Sequence, residues 1–104
     1  MTNKERRLEF HKILTNIPRV KKVYAQTPSD IEMEYPAIRY KRHRANVNYA
    51  DDDLYTVRVG YQVIIIDADV DSEIPAAVSA LPYSRFESHY TVNNLNHDVY
   101  NVFY

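Results

Sequence analysis

The amino-acid sequence predicts an α+β fold: a mostly antiparallel β-sheet of about five strands, with an N-terminal helix and a second short helix packed on one face. Three observations predict this class. The length of 104 residues suits one domain spanning residues 1–104. Apolar spacing indicates one amphipathic helix at the N-terminus, and apolar runs or alternation indicate strands farther along. The predicted order is helix, three strands, helix, two strands.

The bulk composition restricts the classes of function. Thirteen basic and fourteen acidic residues give a formal charge of −1, so no overall field attracts the chain to nucleic acid or to an anionic membrane. There are no cysteines, which excludes disulfides and thiolate chemistry. The single glycine, Gly60, excludes the glycine-rich phosphate loops and the nucleophile elbow. No apolar run is long enough for a transmembrane helix, and the N-terminus lacks the apolar core of a secretory signal.

The first helix is predicted from its cap and its apolar stripe. Thr2 and Glu5 have the spacing of a capping box. Pro18 is expected to end the helix, because the residue before a proline avoids the helical region. The stripe has the spacing i, i+3, i+4, i+7 and consists of Phe10, Ile13, Leu14 and Ile17.

Three strands are predicted between the helices. Residues 19–26 ("RVKKVYAQ") and residues 36–44 ("PAIRYKRHR") form the first two, and residues 45–53 form an acidic, asparagine-rich connection. Residues 53–67 ("DLYTVRVGYQVIIID") form the third strand, which we expect to enter the centre of the sheet because both of its faces become apolar.

The second helix is predicted within residues 71–82 ("DSEIPAAVSALP"). Asp71 or Ser72 is the expected N-cap, and Glu73 lies in the first turn, where a negative charge favours the helix dipole. Pro75 is tolerated in that turn, since its missing N–H has no partner there. Pro82 closes the helix.

The last two predicted strands are residues 83–92 and 97–104, with "NNLN" (93–96) as the turn between them. The C-terminal strand is apolar and has no lysine or proline to protect it. We therefore expect it to lie inside the sheet or to pair with a neighbouring molecule.

Four acidic residues follow the third strand at alternate positions, which suggests a cation site. An EF-hand loop that begins at Asp67 would need glycine at its sixth position and glutamate at its twelfth, but Ser72 and Val78 stand there. The favoured interpretation is structural, with Asp67 closing a buried strand. A metal-dependent hydrolase using Asp67, Asp69 and His97 is the lesser alternative, and no metal or cofactor is predicted.

Histidines could supply a general base. His89, or His97 beside Asp98, would fit the base and its orienting carboxylate, but no serine has an activating context in the sequence. His97 is better explained as a turn residue whose ring bonds to backbone. The sequence therefore predicts no catalytic residues and no enzymatic activity.

One basic cluster, residues 39–44 ("RYKRHR"), is the basis of a second hypothesis. Strand alternation would direct Tyr40, Arg42 and Arg44 to one face and Arg39, Lys41 and His43 to the other. A small nucleic-acid-binding module could use the four residues Arg39, Lys41, Arg42 and Arg44. The acidic Asp51, Asp52 and Asp53 lie across the predicted connection, however, and favour a salt-bridged face or a contact with a protein partner.

Tyrosine is the strongest compositional signal, with ten in the chain. Its large ring and water-tolerant hydroxyl suit half-buried positions and subunit contacts, although some of these rings must belong to the core. Charged and aromatic residues together give the predicted subunit or partner interface. Its members are Arg39, Lys41, Arg42, Arg44, Asp51, Asp52, Asp53, Tyr55, Tyr90, Tyr100, Phe103 and Tyr104.

The chain also resembles the small tail terminator, or tail-completion, proteins of tailed bacteriophages of Gram-positive hosts. The resemblance covers most of the chain after the first strand. It depends on "YPAIRY" (35–40), on "YQVIIIDADVDSEIPAAVSALP" (61–82) and on "HYTVNNLNHDVYNVFY" (89–104). The last stretch, with its Tyr–x–x–Asn–Asn–Leu–Asn–His signature, is the most specific.

This resemblance implies a virion structural protein without enzymatic activity. Such a protein forms a homohexameric ring that caps the tail tube, stops tube polymerisation and joins the tail to the head connector. The expected partners are copies of the same chain, the tail tube protein and the head–tail connector protein, with no membrane. DNA would pass through the ring without specific recognition. The expected location is the virion neck or tail, and the host cytoplasm during assembly.

Overall fold

The computed structural model describes residues 2–26, 32–47 and 57–104, and it confirms the predicted α+β class. A five-stranded mixed sheet has the order β1-β2-β3-β5-β4. Only the β1–β2 pair is parallel, and the other three pairs are antiparallel. The elements are α1 (Asn3–Thr15), β1 (Lys22–Ala25), β2 (Ala37–Val47), β3 (Val57–Asp67), α2 (Ile74–Ser79), β4 (Ser84–Val92) and β5 (Leu95–Phe103).

The predicted cap of α1 is confirmed. The Thr2 hydroxyl accepts from the Glu5 backbone N–H at 3.2 Å, and the Glu5 carboxylate accepts from the Thr2 backbone N–H at 3.0 Å. These bonds from Thr2 lower the pKa of Glu5. The helix ends at Thr15, three residues before Pro18, and Ile17 is buried in the turn that follows.

Both helices pack on the same face of the sheet, as predicted. We call this the helix face. Phe10 and Leu14 from α1, and Ile74 and Val78 from α2, are almost completely buried there. They meet side chains from four strands: Val23 of β1, Ile38 and Tyr40 of β2, Val59, Tyr61, Val63 and Ile65 of β3, and Tyr100 and Val102 of β5.

No helix of the described residues lies on the opposite face of the sheet, which we call the open face. Its apolar part is small: Ile64, Ile66 and Val99 are buried, with Met33 and Leu95 packed against them. β3 is thus apolar on both faces near its end and lies in the middle of the sheet, as its sequence predicts.

β2 is longer than predicted, because it continues through Asn46 and Val47 into the segment that we assigned to a connection. A β-bulge between Arg42 and Arg44 shifts its register against β3. A bulge of this kind changes the alternation of side chains along a strand. The rest of the acidic connection, residues 48–53, lies outside the described residues, as does the predicted start of the third strand, residues 53–56.

The N-cap of α2 is Glu73, not Asp71 or Ser72. The reason is local competition for the backbone. The Asp71 backbone N–H donates to the Asp69 carboxylate, and the Ser72 hydroxyl accepts from the Ile74 N–H in a turn just ahead of the helix. Pro75 lies in the first turn, as predicted.

The turn between β4 and β5 contains two residues, not the four predicted. Asn93 and Asn94 have φ of 53° and 63°, a left-handed conformation that asparagine tolerates better than most residues. Leu95 is therefore free to pair with Val92. β5 lies between β3 and β4, which confirms that the apolar C-terminal strand is internal to the sheet.

Candidate functional site

The fold divides the basic cluster between the two faces of the sheet. Lys41 pairs with Gln62 and Arg39 with Ile64, which places both on the open face. Arg42 pairs with Tyr61 and lies on the helix face, where its backbone N–H donates to the Gln26 side chain at 3.4 Å. Arg44 pairs with Gly60 beyond the bulge. The four basic residues therefore do not form one continuous stripe.

Four members of the predicted interface, Asp51, Asp52, Asp53 and Tyr55, lie outside the described residues. Three others pack within the chain. Tyr100 is 6% exposed in the core, and Phe103 is half-buried. Tyr104 stacks on Phe10 with ring centroids 5.3 Å apart, and its hydroxyl donates to Glu9. This bond, assisted by burial, raises the pKa of Tyr104.

The remaining predicted aromatic residue, Tyr90, lies on β4 and is 44% exposed. Its ring stacks on His97 with centroids 4.6 Å apart. Two further apolar side chains of the same strand, Phe86 and Val92, are about half exposed. Sequence reasoning missed both, and a bulge between Phe86 and Ser88 places Phe86 on the helix face and Val92 on the open face.

The whole of β4 forms a free edge of the sheet, which we call the β4 edge (Ser84–Val92). Its inner side pairs with β5, and no described strand pairs with its outer side. Eight of its nine side chains are exposed. Unpaired backbone N–H and C=O groups beside apolar side chains favour the addition of another strand.

A second free edge lies on the other side of the sheet. β1 pairs with β2 only from Ala37 to Tyr40. Beyond the bulge, from residue 44 to residue 47, no described strand pairs with the outer side of β2. We call this stretch the β2 edge. The sheet thus offers one extended backbone surface on each side.

The acidic run after β3 has the structural role that the sequence favoured. The carboxylates of Asp67 and Asp69 each accept from the backbone N–H two residues later, both at 2.9 Å. His97 is held by the backbone carbonyl of Leu95 at 3.0 Å, although in β5 and not in a turn. Within residues 2–26, 32–47 and 57–104, no three acidic or histidine side chains could hold a metal ion together.

His89 and Asp98 form an exposed pair on neighbouring strands, with the His89 Nδ1 atom 2.7 Å from a carboxylate oxygen. Such a pair could orient an imidazole. The adjacent Ser88 pairs with Val99 and so lies on the opposite face from His89, which pairs with Asp98. Ser88 is therefore not beside the pair.

A cleft that sequence reasoning missed lies where α1 crosses the strands. Lys4 and Arg7 from α1 and Arg42 from β2 line it, together with Gln26, Val59 and Tyr61. The cavity volume is about 220 Å³. Lys4 and Arg7 are three residues apart and so share one side of the helix, the only signal of this cleft in the sequence.

A buried hydroxyl holds Arg7 in this cleft. The Arg7 guanidinium donates to the Tyr40 hydroxyl at 3.2 Å, and the His11 Nδ1 atom lies 2.9 Å from the same hydroxyl. Burial and the nearby Arg7 charge lower the pKa of His11. A neutral His11 can accept from Tyr40, which leaves the hydroxyl oxygen free to accept from Arg7.

Comparison with protein-family models, with curated proteins and with solved structures finds no match to this chain. Among the described residues, no helix is long and apolar enough to cross a membrane.

Proposed function

We propose that this chain is a structural subunit of a tailed-phage virion, in which it forms a ring that caps the tail tube and ends tube polymerisation. The ring joins the tail to the head connector and carries out no enzymatic reaction. The observation that supports this proposal best is the pair of free edges, one on each side of the sheet. The resemblance of residues 35–40, 61–82 and 89–104 to tail terminator proteins supports the particular role.

A ring needs a heterologous interface, in which one patch meets a different patch on the next copy. The β4 edge and the β2 edge are two such patches, since they lie at opposite sides of one sheet and belong to different strands. Pairing of the β4 edge with the β2 edge of the next subunit would join the sheets through backbone hydrogen bonds. The exposed Phe86, Tyr90 and Val92 would then be covered.

The proposed partners are other copies of this chain, the tail tube protein and the head–tail connector protein. The proposed location is the tail or neck of the virion, with assembly in the host cytoplasm. Packaged DNA would pass through the ring without specific recognition. The nucleic-acid-binding alternative has less support, because Arg39 and Lys41 lie on one face of the sheet and Arg42 on the other.

Light scattering coupled to size-exclusion chromatography tests self-association, and electron microscopy with purified tail tubes tests the role at the tail. We expect the unmodified chain to form rings that sit on tube ends. Phe86→Glu places a charge on the β4 edge and should shift the protein to monomer. Val70→Glu is the matched control, because Val70 is 81% exposed in the turn after β3, away from both edges.

The outcome that contradicts the proposal is a monomer at high concentration that also leaves tube ends bare. Salt-dependent retention on DNA, lost when Arg39, Lys41, Arg42 and Arg44 are neutralised together, would instead favour the nucleic-acid module.

A further inference from the structure

The cleft between α1 and the sheet is positively charged and, within the described part of the chain, unneutralised. Lys4, Arg7 and Arg42 all line it, and its other lining residues are Gln26, Val59 and Tyr61, none of which is acidic. The ion pair of His89 with Asp98 lies on other strands. Among the described residues that line the cleft, no carboxylate faces these three cations.

Tyr61 also lines the cleft. Burial and the neighbouring Tyr40 raise the pKa of Tyr61, whereas Arg7, Arg42 and Arg6 act in the opposite direction. Tyr61 itself is only 4% exposed, so its ring face cannot serve as a platform for a nucleobase.

We propose that this cleft binds a compact oxyanion of the phosphate type, held by Lys4, Arg7 and Arg42. Guanidinium groups present paired N–H donors that match phosphate oxygens, and an ammonium group adds a point charge. The volume of about 220 Å³ accommodates one phosphoryl group with its water shell. Phosphate binding at this site does not depend on ring formation, so an experiment can contradict either proposal without contradicting the other.

A single anion fits this cleft better than a nucleic-acid strand does. A strand needs cations in a row along several phosphates. The two basic side chains that precede Arg42 on β2, Arg39 and Lys41, lie on the other face of the sheet and cannot continue the track. Arg7 is also held in place by the Tyr40 hydroxyl at 3.2 Å, so part of the site is ordered before a ligand arrives.

The experiment is an NMR titration of the backbone amides with inorganic phosphate at constant ionic strength, with chloride as the reference anion. We expect saturable shifts at residues of α1 and β2 that line the cleft. Arg42→Gln should weaken phosphate binding about fivefold, the equivalent of about 1 kcal/mol for one charge pair ~4 Å apart in water. The double variant Lys4→Gln, Arg42→Gln should weaken it roughly 25-fold.

Lys41→Gln is the matched control: it removes one positive charge from the adjacent residue on the opposite face, and should change binding less than about twofold. Lys4 and Arg42 are both exposed, so the variants should keep the fold, which circular dichroism checks.

A parallel titration uses a single-stranded oligonucleotide without terminal phosphate. Binding of the oligonucleotide without binding of inorganic phosphate would overturn the proposal, and so would equal losses in Arg42→Gln and Lys41→Gln. Phosphate shifts no larger than those caused by chloride would overturn it as well.

Discussion

Tyr40 illustrates how one residue joins several parts of this molecule. Its ring is 1% exposed and packs edge-on against Phe10 and Tyr61, while its hydroxyl contacts Arg7 and His11 of α1. Composition alone identifies Tyr40 only as one of ten tyrosines, a residue type that suits interfaces. Its role depends on residues 29 and 33 positions away in the chain, which no local pattern reveals.

The lowered pKa of His11 predicts a dependence of stability on pH. Because the folded state binds a proton less readily than the unfolded chain, the free energy of unfolding should fall as the pH drops below about 6.5. The loss should level off once the pH is below the folded pKa. His11→Gln should reduce the loss between pH 7.5 and pH 5, as measured by urea denaturation.

The control for this variant is Lys12→Gln, a substitution at the next residue of α1, which is exposed. It should retain the pH dependence of the unmodified chain. A His11→Gln protein with an unchanged pH dependence would show that His11 is not the group responsible.

At the level of elements, sequence patterns located most helices and strands because their signals are local. The capping box and the apolar stripe of α1 lie within residues 2–17. The end of β3, where both faces of the strand are apolar, is likewise one short segment. The extension of β2 to Val47 was missed, because asparagine-rich segments disfavour strands and only pairing with β3 overrides that tendency.

The charged cleft could not be predicted either, because its residues come together only when the chain folds. Lys4 and Arg7 share a helix side, but Arg42 joins them only because the bulged β2 strand packs beneath α1. Alternation in the sequence assigns Arg42 to the side of Tyr40, but it does not reveal which helix covers that side.

The two-residue turn between β4 and β5 predicts that glycine is tolerated better than alanine at Asn94. Both Asn93 and Asn94 are left-handed, a conformation that costs residues with a β-carbon roughly 1–2 kcal/mol. Asn94→Ala should therefore lower the free energy of unfolding by about 1 kcal/mol, since alanine lacks the local hydrogen bonds of asparagine. Asn94→Gly should match or exceed the stability of the unmodified chain.

Urea denaturation of the three proteins measures this order. An alanine variant as stable as the glycine variant would contradict the left-handed turn.

At the scale of the whole molecule, Phe10 ties α1 to the sheet. Its ring is completely buried, and its centroid lies 4.9 Å from that of Tyr61 and 5.3 Å from that of Tyr104. Phe10→Ala should cost about 3–5 kcal/mol of stability because of lost burial and the cavity left behind. Leu8→Ala, at a position 49% exposed on the same helix, should cost less than about 0.5 kcal/mol.

Thermal and urea denaturation measure both losses. If Phe10→Ala does not fold, Phe10→Leu provides a milder test, with a loss between those of the other two variants. Equal losses for Phe10→Ala and Leu8→Ala would mean that α1 does not anchor through this ring.

The two free sheet edges have a consequence for how the growth of an assembly of these subunits would stop. A unit with two different reactive ends resembles a bifunctional monomer in step-growth polymerisation, whose products are closed cycles or long chains and not discrete pairs. A copy that is blocked at one end acts as a chain stopper. Adding such a copy in sub-stoichiometric amounts would inhibit assembly. The fraction of assembly lost would exceed the fraction of blocked copies in the mixture.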